Sequence, residues 1–223
     1  LVLVTWQAGQ ARREATRAQA LQRFVTNLFE QTGSSGQQGP LDVRKLLDAG
    51  VQRGNLELAR QPLDRAELFG VIARLRLGLG DYREAEQLLR IQNAILIGLD
   101  DPPDSLRLSS VSDLGRTLRL LGRADECVAN MRGLESDARS LQRRLPVQAA
   151  EFYSELGRCQ RAEGEPRVAR LLFQRSLEVR RNALEDTAGA PVFNQDVHAA
   201  VKRVQKMLDK GFFGDNGAIP FFA

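Results

Sequence analysis

Apolar positions along this chain fall at helical spacing in two stretches and then repeat on a longer scale. Ala11, Ala15, Ala18, Leu21, Val25, Leu28 and Phe29 form one stripe, with Arg12, Arg13, Arg17 and Arg23 elsewhere on the surface. That pattern predicts an amphipathic helix over about 8–31. Val43, Leu46, Leu47, Val51, Leu56 and Leu58 predict a second helix within 41–60. Beyond it, Ile72-Ala73-Arg74, Leu114-Gly115-Arg116 and Leu156-Gly157-Arg158 recur 42 residues apart. Each is followed seven residues later by a glycine, Gly80, Gly122 and Gly164. Two marks keeping one period mean a repeated structural unit. A small residue also stands five positions past each glycine, at Ala85, Cys127 and Ala169. Small side chains there and at Ala73, Gly115 and Gly157 let two antiparallel helices approach closely, with the glycine at the turn. Each unit therefore reads as a helical hairpin, with its first helix, A, at about 65–79, 107–121 and 149–163. Asp81 with Glu84 reads as a capping box opening a helix B, and Pro166 suits a first helical position.

The motif resembles the tetratricopeptide repeat: Leu114-Gly115 and Leu156-Gly157 on helix A, the turn glycine, an early alanine on helix B, and Phe173 four residues after Ala169. The resemblance spans roughly residues 63 to 185, with the period lengthened from the usual 34 to 42. Ala73 replaces the signature glycine, Cys127 replaces an alanine, and Gln92, Leu134 and Ser176 stand where a later alanine is usual. It implies an all-α, right-handed solenoid of about three hairpins over 61–190. The segment 41–60 would cap its open end, since solenoids need polar-faced caps. Ala199 falls on the small position of a fourth unit, so Asp196 to Lys210 reads as a C-terminal capping helix stopped by Gly211. A Phe-rich tail follows, in which Phe212, Phe213, Phe221 and Phe222 are expected to fold back over that helix.

Leu1 to Trp6 is apolar and closes on tryptophan, as the end of a membrane span does at the interface. Six residues cannot cross a bilayer, which takes about 20. No charged leader, long apolar run and cleavage site stand at this start of the sequence. The expectation is a span lying outside this chain, a juxtamembrane helix over 7–31 that could pair with a second copy, and a flexible linker over 32–40. The run from Trp6 through Arg12-Arg13-Glu14-Ala15 and Phe24-Val25 to Leu28-Phe29-Glu30, then Leu46-Leu47-Asp48 and Gln61-Pro62, carries a second resemblance. It is similar to the region after the membrane span in bacterial transmembrane serine/threonine protein kinases with tetratricopeptide repeats. That architecture implies a periplasmic, inner-membrane-anchored sensor. A related layout, a cytoplasmic winged-helix regulator with a periplasmic repeat domain, is the main competitor, followed by a stand-alone scaffold.

Composition changes this picture little. At 223 residues and 43% hydrophobic content the chain can bury a core, and 6% aromatics argues against an all-β fold. A formal charge of +4 is too small for a nucleic-acid footprint. Only four of the 32 basic residues are lysine, which reads as codon bias in a GC-rich genome. Cys127 and Cys159 carry no metal spacing and read as two small buried apolar residues rather than a disulfide. His198 has no Asp or Cys neighbour at useful spacing. No glycine-rich phosphate loop, His-Arg-Asp loop or Asp-Phe-Gly is present, so no enzyme, metal or cofactor is expected.

The tetratricopeptide resemblance implies a concave groove lined from the A helices at their second, fifth, ninth and twelfth positions. Counted on this sequence, the ninth positions are Arg74, Arg116 and Arg158, and the twelfth include Arg119 and Arg161. The fifth include Ser112 and Ser154. Such an arginine ladder could pair bidentately with carboxylates or phosphates of an acidic protein or peptide partner. The competing reading is a solvated face whose arginines pair with Glu67, Asp113 and Glu151.

Overall fold

A glycine closes every A helix at the same phase, and a proline stands at the start of each. The computed structural model describes residues 42–186, which form eight helices with no strand among the described residues. They are α1 (Val43–Glu57), α2 (Pro62–Gly78), α3 (Tyr82–Ile97), α4 (Asp104–Leu120), α5 (Ala124–Arg132), α6 (Glu135–Leu141), α7 (Pro146–Ala162) and α8 (Pro166–Asp186). The A helices α2, α4 and α7 begin 42 residues apart, and so do α3, α5 and α8, the openings of the B helices. Fold class is all-α, as the hydrophobic periodicity predicts.

The A helices start three residues before the expected positions. Pro62 and Pro146 occupy the first helical turn and Pro103 stands at the N-cap of α4, places where a missing N–H costs no intrahelical bond. Each A helix ends in the same hydrogen-bonded lock. Gly80 N donates to Leu77 O and Asp81 N to Arg76 O, and the pattern recurs at Gly122 and Arg123 and at Gly164 and Glu165. This Schellman geometry needs a left-handed residue, and the three glycines have φ of 79°, 79° and 95°. A Cβ on Gly122 would meet nothing within 4 Å, so only the backbone term opposes a side chain there. Gly122→Ala should therefore lower stability by about 1–2 kcal/mol, read from the urea midpoint, whereas an unchanged midpoint would refute the left-handed turn.

Within each unit the two helices close on a small residue of helix A. A Cβ on Gly157 would lie 2.9 Å from Phe173 Cε1, and one on Gly115 would lie 2.6 Å from Met131 Sδ. The equivalent pair in the first unit is Ala73 and Leu89, both fully buried. Glycine thus stands where the facing side chain is Met or Phe, and alanine where it is Leu. Ala85, Cys127 and Ala169 are buried at the reciprocal small position. Neighbouring units pack in chain order: α3 against α4, α5 against α7, and the A helices against one another. The core runs through all three units, from Leu68 and Phe69 through Leu108 and Leu118 to Phe152 and Leu156.

Three sequence readings are corrected. The second unit's helix B is not continuous: it breaks at Gly133 and Leu134 into α5 and α6, because glycine is a poor helix former with no partner side chain near its α-carbon. Asp81 forms no capping box. Its carboxylate is taken by Arg44 of α1, at 2.9 Å, and by Arg76. Cys127 and Cys159 are not separate apolar fillers but a disulfide joining α5 to α7, with Cα atoms 6.0 Å apart and both residues fully buried.

α1 lies against α2 through Leu46 and Leu47, and Gly54 lets Leu68 and Phe69 approach its backbone. Asp42 caps α1 by accepting from the backbone N–H groups of Arg44 and Lys45. Arg76, almost fully buried, anchors the other side of this contact through Asp48 and Asp81. The Arg44 guanidinium in turn holds the Asp81 carboxyl below the usual range. The expected membrane-proximal end (1–6), juxtamembrane helix (7–31), linker (32–40), and C-terminal capping helix and tail (191–223) lie outside the described residues, as does His198.

Candidate functional site

Residues at matching positions of the A helices share one face because i, i+3, i+4 and i+7 align on a helix. On α4 that face presents Ser109, Ser112, Asp113 and Arg116, and on α7 their equivalents Glu151, Ser154, Glu155 and Arg158. These side chains, with Arg74 of α2 and Arg180 of α8, line a groove of about 550 Å³. Of the residues expected from sequence, the groove brings together Arg74, Ser112, Arg116, Ser154 and Arg158. Arg119 and Arg161 do not line it. Both lie one helical turn further along their helices, toward the hairpin turns, and both are half-buried.

The arginines are not a uniform ladder. Arg74 Nη1 donates to Asp113 Oδ2 at 3.1 Å, reaching from the first unit to the second. Arg119 Nε donates to Glu155 Oε1 at 2.7 Å, reaching from the second unit to the third. Arg158 Nη1 takes the other oxygen of Glu155, at 3.0 Å. Glu155 is nearly buried, so these two guanidinium contacts supply the pairing that a desolvated carboxylate requires. Arg116 is exposed and makes no hydrogen bond or ion pair among the described residues. The expected partner Asp113 is therefore used by Arg74, while Arg158 uses Glu155 rather than Glu151.

Burial pushes the Asp113 carboxyl above its ordinary range, more than the nearby Arg74 and Arg116 charges pull it down, and Glu155 adds to the rise. Burial lowers the Arg161 guanidinium, with Arg119 and Arg158 contributing like-charge repulsion. It stays cationic, since arginine does not deprotonate in proteins. Ser112 Oγ is spent within its own helix, donating to Leu108 O at 2.8 Å. Ser109 and Ser154 have no side-chain bond among the described residues, which leaves their hydroxyls to the groove.

Sequence reasoning missed three contributors, Ser109, Glu155 and Arg180. Arg180 comes from a B helix, and no repeat signal marks it, since its equivalents are Leu96 and Ala138. Glu155 was legible as the 42-residue echo of Asp113 and Arg158 as its i+3 neighbour, but its second partner, Arg119, comes from a contact between units that a linear pattern does not contain. Among the described residues no group of His, Cys, Asp and Glu is placed to hold a metal ion. Nor is any helix among them long and apolar enough to cross a membrane.

No protein-family model and no curated protein matches the chain. Among solved structures, BtubC (BKLC) from P. vanneervenii is similar at 18% identity and a TM-score of 0.34, over 79% of this chain and 93% of that one. So loose a likeness carries nothing about function, and the groove must be read from its own chemistry.

Proposed function

We propose that the chain is a non-catalytic protein-interaction and sensor domain of a membrane-anchored bacterial signalling protein. Its hairpins form a right-handed tetratricopeptide-like solenoid, and the parent protein is a transmembrane serine/threonine kinase with this region in the periplasm. The observation that carries the binding role is the groove itself: equivalent positions on consecutive A helices converge on one polar groove of about 550 Å³. Guanidinium groups and free hydroxyls suit a partner segment carrying carboxylates. The Cys127–Cys159 bridge supports the compartment, because disulfides persist in the periplasm and are rare in the cytosol. A periplasmic repeat domain of a winged-helix transmembrane regulator, or a periplasmic scaffold, would share that chemistry and differ in the effector domain attached.

An octaglutamate peptide is the direct probe. It should bind the oxidised domain, more weakly as salt rises, because exposed charges are screened over about 8–10 Å. Arg116→Gln combined with Arg158→Gln should weaken binding at least tenfold by fluorescence anisotropy while the helical circular dichroism stays unchanged. Unaltered affinity in the double variant would reduce the arginines to a solvated face.

A further inference from the structure

The groove's arginines differ in what they have left to offer. Arg74 is held by Asp113, and Arg158 and Arg119 by Glu155. Arg180 has no ion pair among the described residues, but it shares its end of the groove with a carboxylate. Arg180 comes from α8, outside the row of A helices, and lines the groove together with Glu151. Arg116, on the A helix between those that carry Arg74 and Arg158, also makes no hydrogen bond or ion pair among the described residues.

The repeat explains why it is open. Arg116 stands to Glu155 as Arg74 stands to Asp113, each pair displaced by 42 residues. By that register Arg116 should close on Glu155, as Arg74 closes on Asp113. The difference lies one turn away: the first unit carries Leu77 where the second carries Arg119. Arg119 takes Oε1 of Glu155 and Arg158 takes Oε2, so both oxygens are already engaged, and Arg116 makes no bond to this carboxylate.

We infer that Arg116 is the groove's anchor for a carboxylate of the partner segment, and that Arg119 is a positioning residue that keeps this anchor open by occupying Glu155. The inference rests on the proposed binding of an acidic segment. It adds which cation is used and why a residue that lines no part of the groove controls it. A planar guanidinium with a free edge takes a carboxylate through two parallel bonds, whereas a paired one must first give up its internal partner.

The test compares two arginines that lie outside the groove. Arg119→Leu restores the first unit's residue and releases one oxygen of Glu155 to Arg116, whereas Arg161→Leu removes the same charge from a side chain that bonds no carboxylate among the described residues. Octaglutamate affinity at low salt should fall at least fivefold in Arg119→Leu and less than twofold in Arg161→Leu. Arg119→Lys, which keeps an ammonium on Glu155, should stay near wild type. In the peptide-free protein, the Arg116 Nε–Hε resonance should shift and exchange more slowly in Arg119→Leu, and an unmoved resonance overturns the positioning role. Equal losses in the two leucine variants, with wild-type binding intact, overturn the inference alone. Absence of octaglutamate binding to the wild-type domain overturns the acidic-segment reading, and the anchor with it.

Discussion

Reducing the Cys127–Cys159 bridge should shift the urea midpoint down by an amount corresponding to roughly 3–4 kcal/mol. The two residues are 32 apart in sequence, and closing a loop of that size removes entropy from the unfolded chain equivalent to about 3.7 kcal/mol at 25 °C. The folded side of the balance gives little back. Both cysteines are fully buried in the core, and each lies beside Gly115: a Cβ there would be 3.1 Å from Cys127 Sγ, and Cys159 Sγ lies 3.9 Å from Gly115 O. Two thiols occupy nearly the same space, so packing is largely retained when the bond is cut and the loss comes mainly from the freed chain. For a helical region of this size each kcal/mol is worth roughly 3 °C, so the melting temperature should drop by about 10 °C. Cys127→Ala with Cys159→Ala should show the same order of loss without reductant. Identical melting of oxidised and reduced protein would mean that the bridge does not form in solution.

Gly157→Leu is the point substitution expected to cost most, about 3 kcal/mol or more. Even the first added atom falls 2.9, 3.1 and 3.2 Å from three carbons of the Phe173 ring. A ring cannot fold aside as a thioether can, and the position lies at the contact between α7 and α8, the most extensive helix pair among the described residues. Combining Gly157→Leu with Phe173→Ala should recover part of the loss, because the ring then vacates the space the leucine needs. A double-mutant cycle in urea measures that coupling, and strictly additive effects would place the two residues apart.

Much of the local structure could be read before any coordinates. The 42-residue register located the hairpins because it reports two requirements at once, a left-handed residue at the turn and a small residue where helices touch. Gly80, Gly122 and Gly164 meet the first, and Ala73, Gly115 and Gly157 the second. What escaped depends on contacts between units. Cys127 and Cys159 occupy different phases of the repeat, and only the packing of one unit's B helix on the next unit's A helix brings them together. Asp81 looked like a cap because its local neighbours suit one, yet Arg44, 37 residues away, offers its carboxylate a stronger bond. The break at Gly133 had a visible signal in the glycine, but the reading of each unit as a helical hairpin gave it no place. The groove was half legible: the arginine positions follow the repeat, and Arg158 has Glu155 on its own helix, but Arg74 and Arg119 are spent on Asp113 and Glu155 across the seams.

The bridge also sets how this chain would respond to a pull on its two ends. It crosses only the seam between the second and third units. The first seam is closed by packing and by ionic contacts such as Arg74–Asp113, which slide apart under load. As tension rises, the first hairpin should peel away while the other two remain clipped together. The 32-residue interval enclosed by the bridge, roughly 110 Å of extended chain, stays hidden from the stretching force until the sulfur–sulfur bond is reduced.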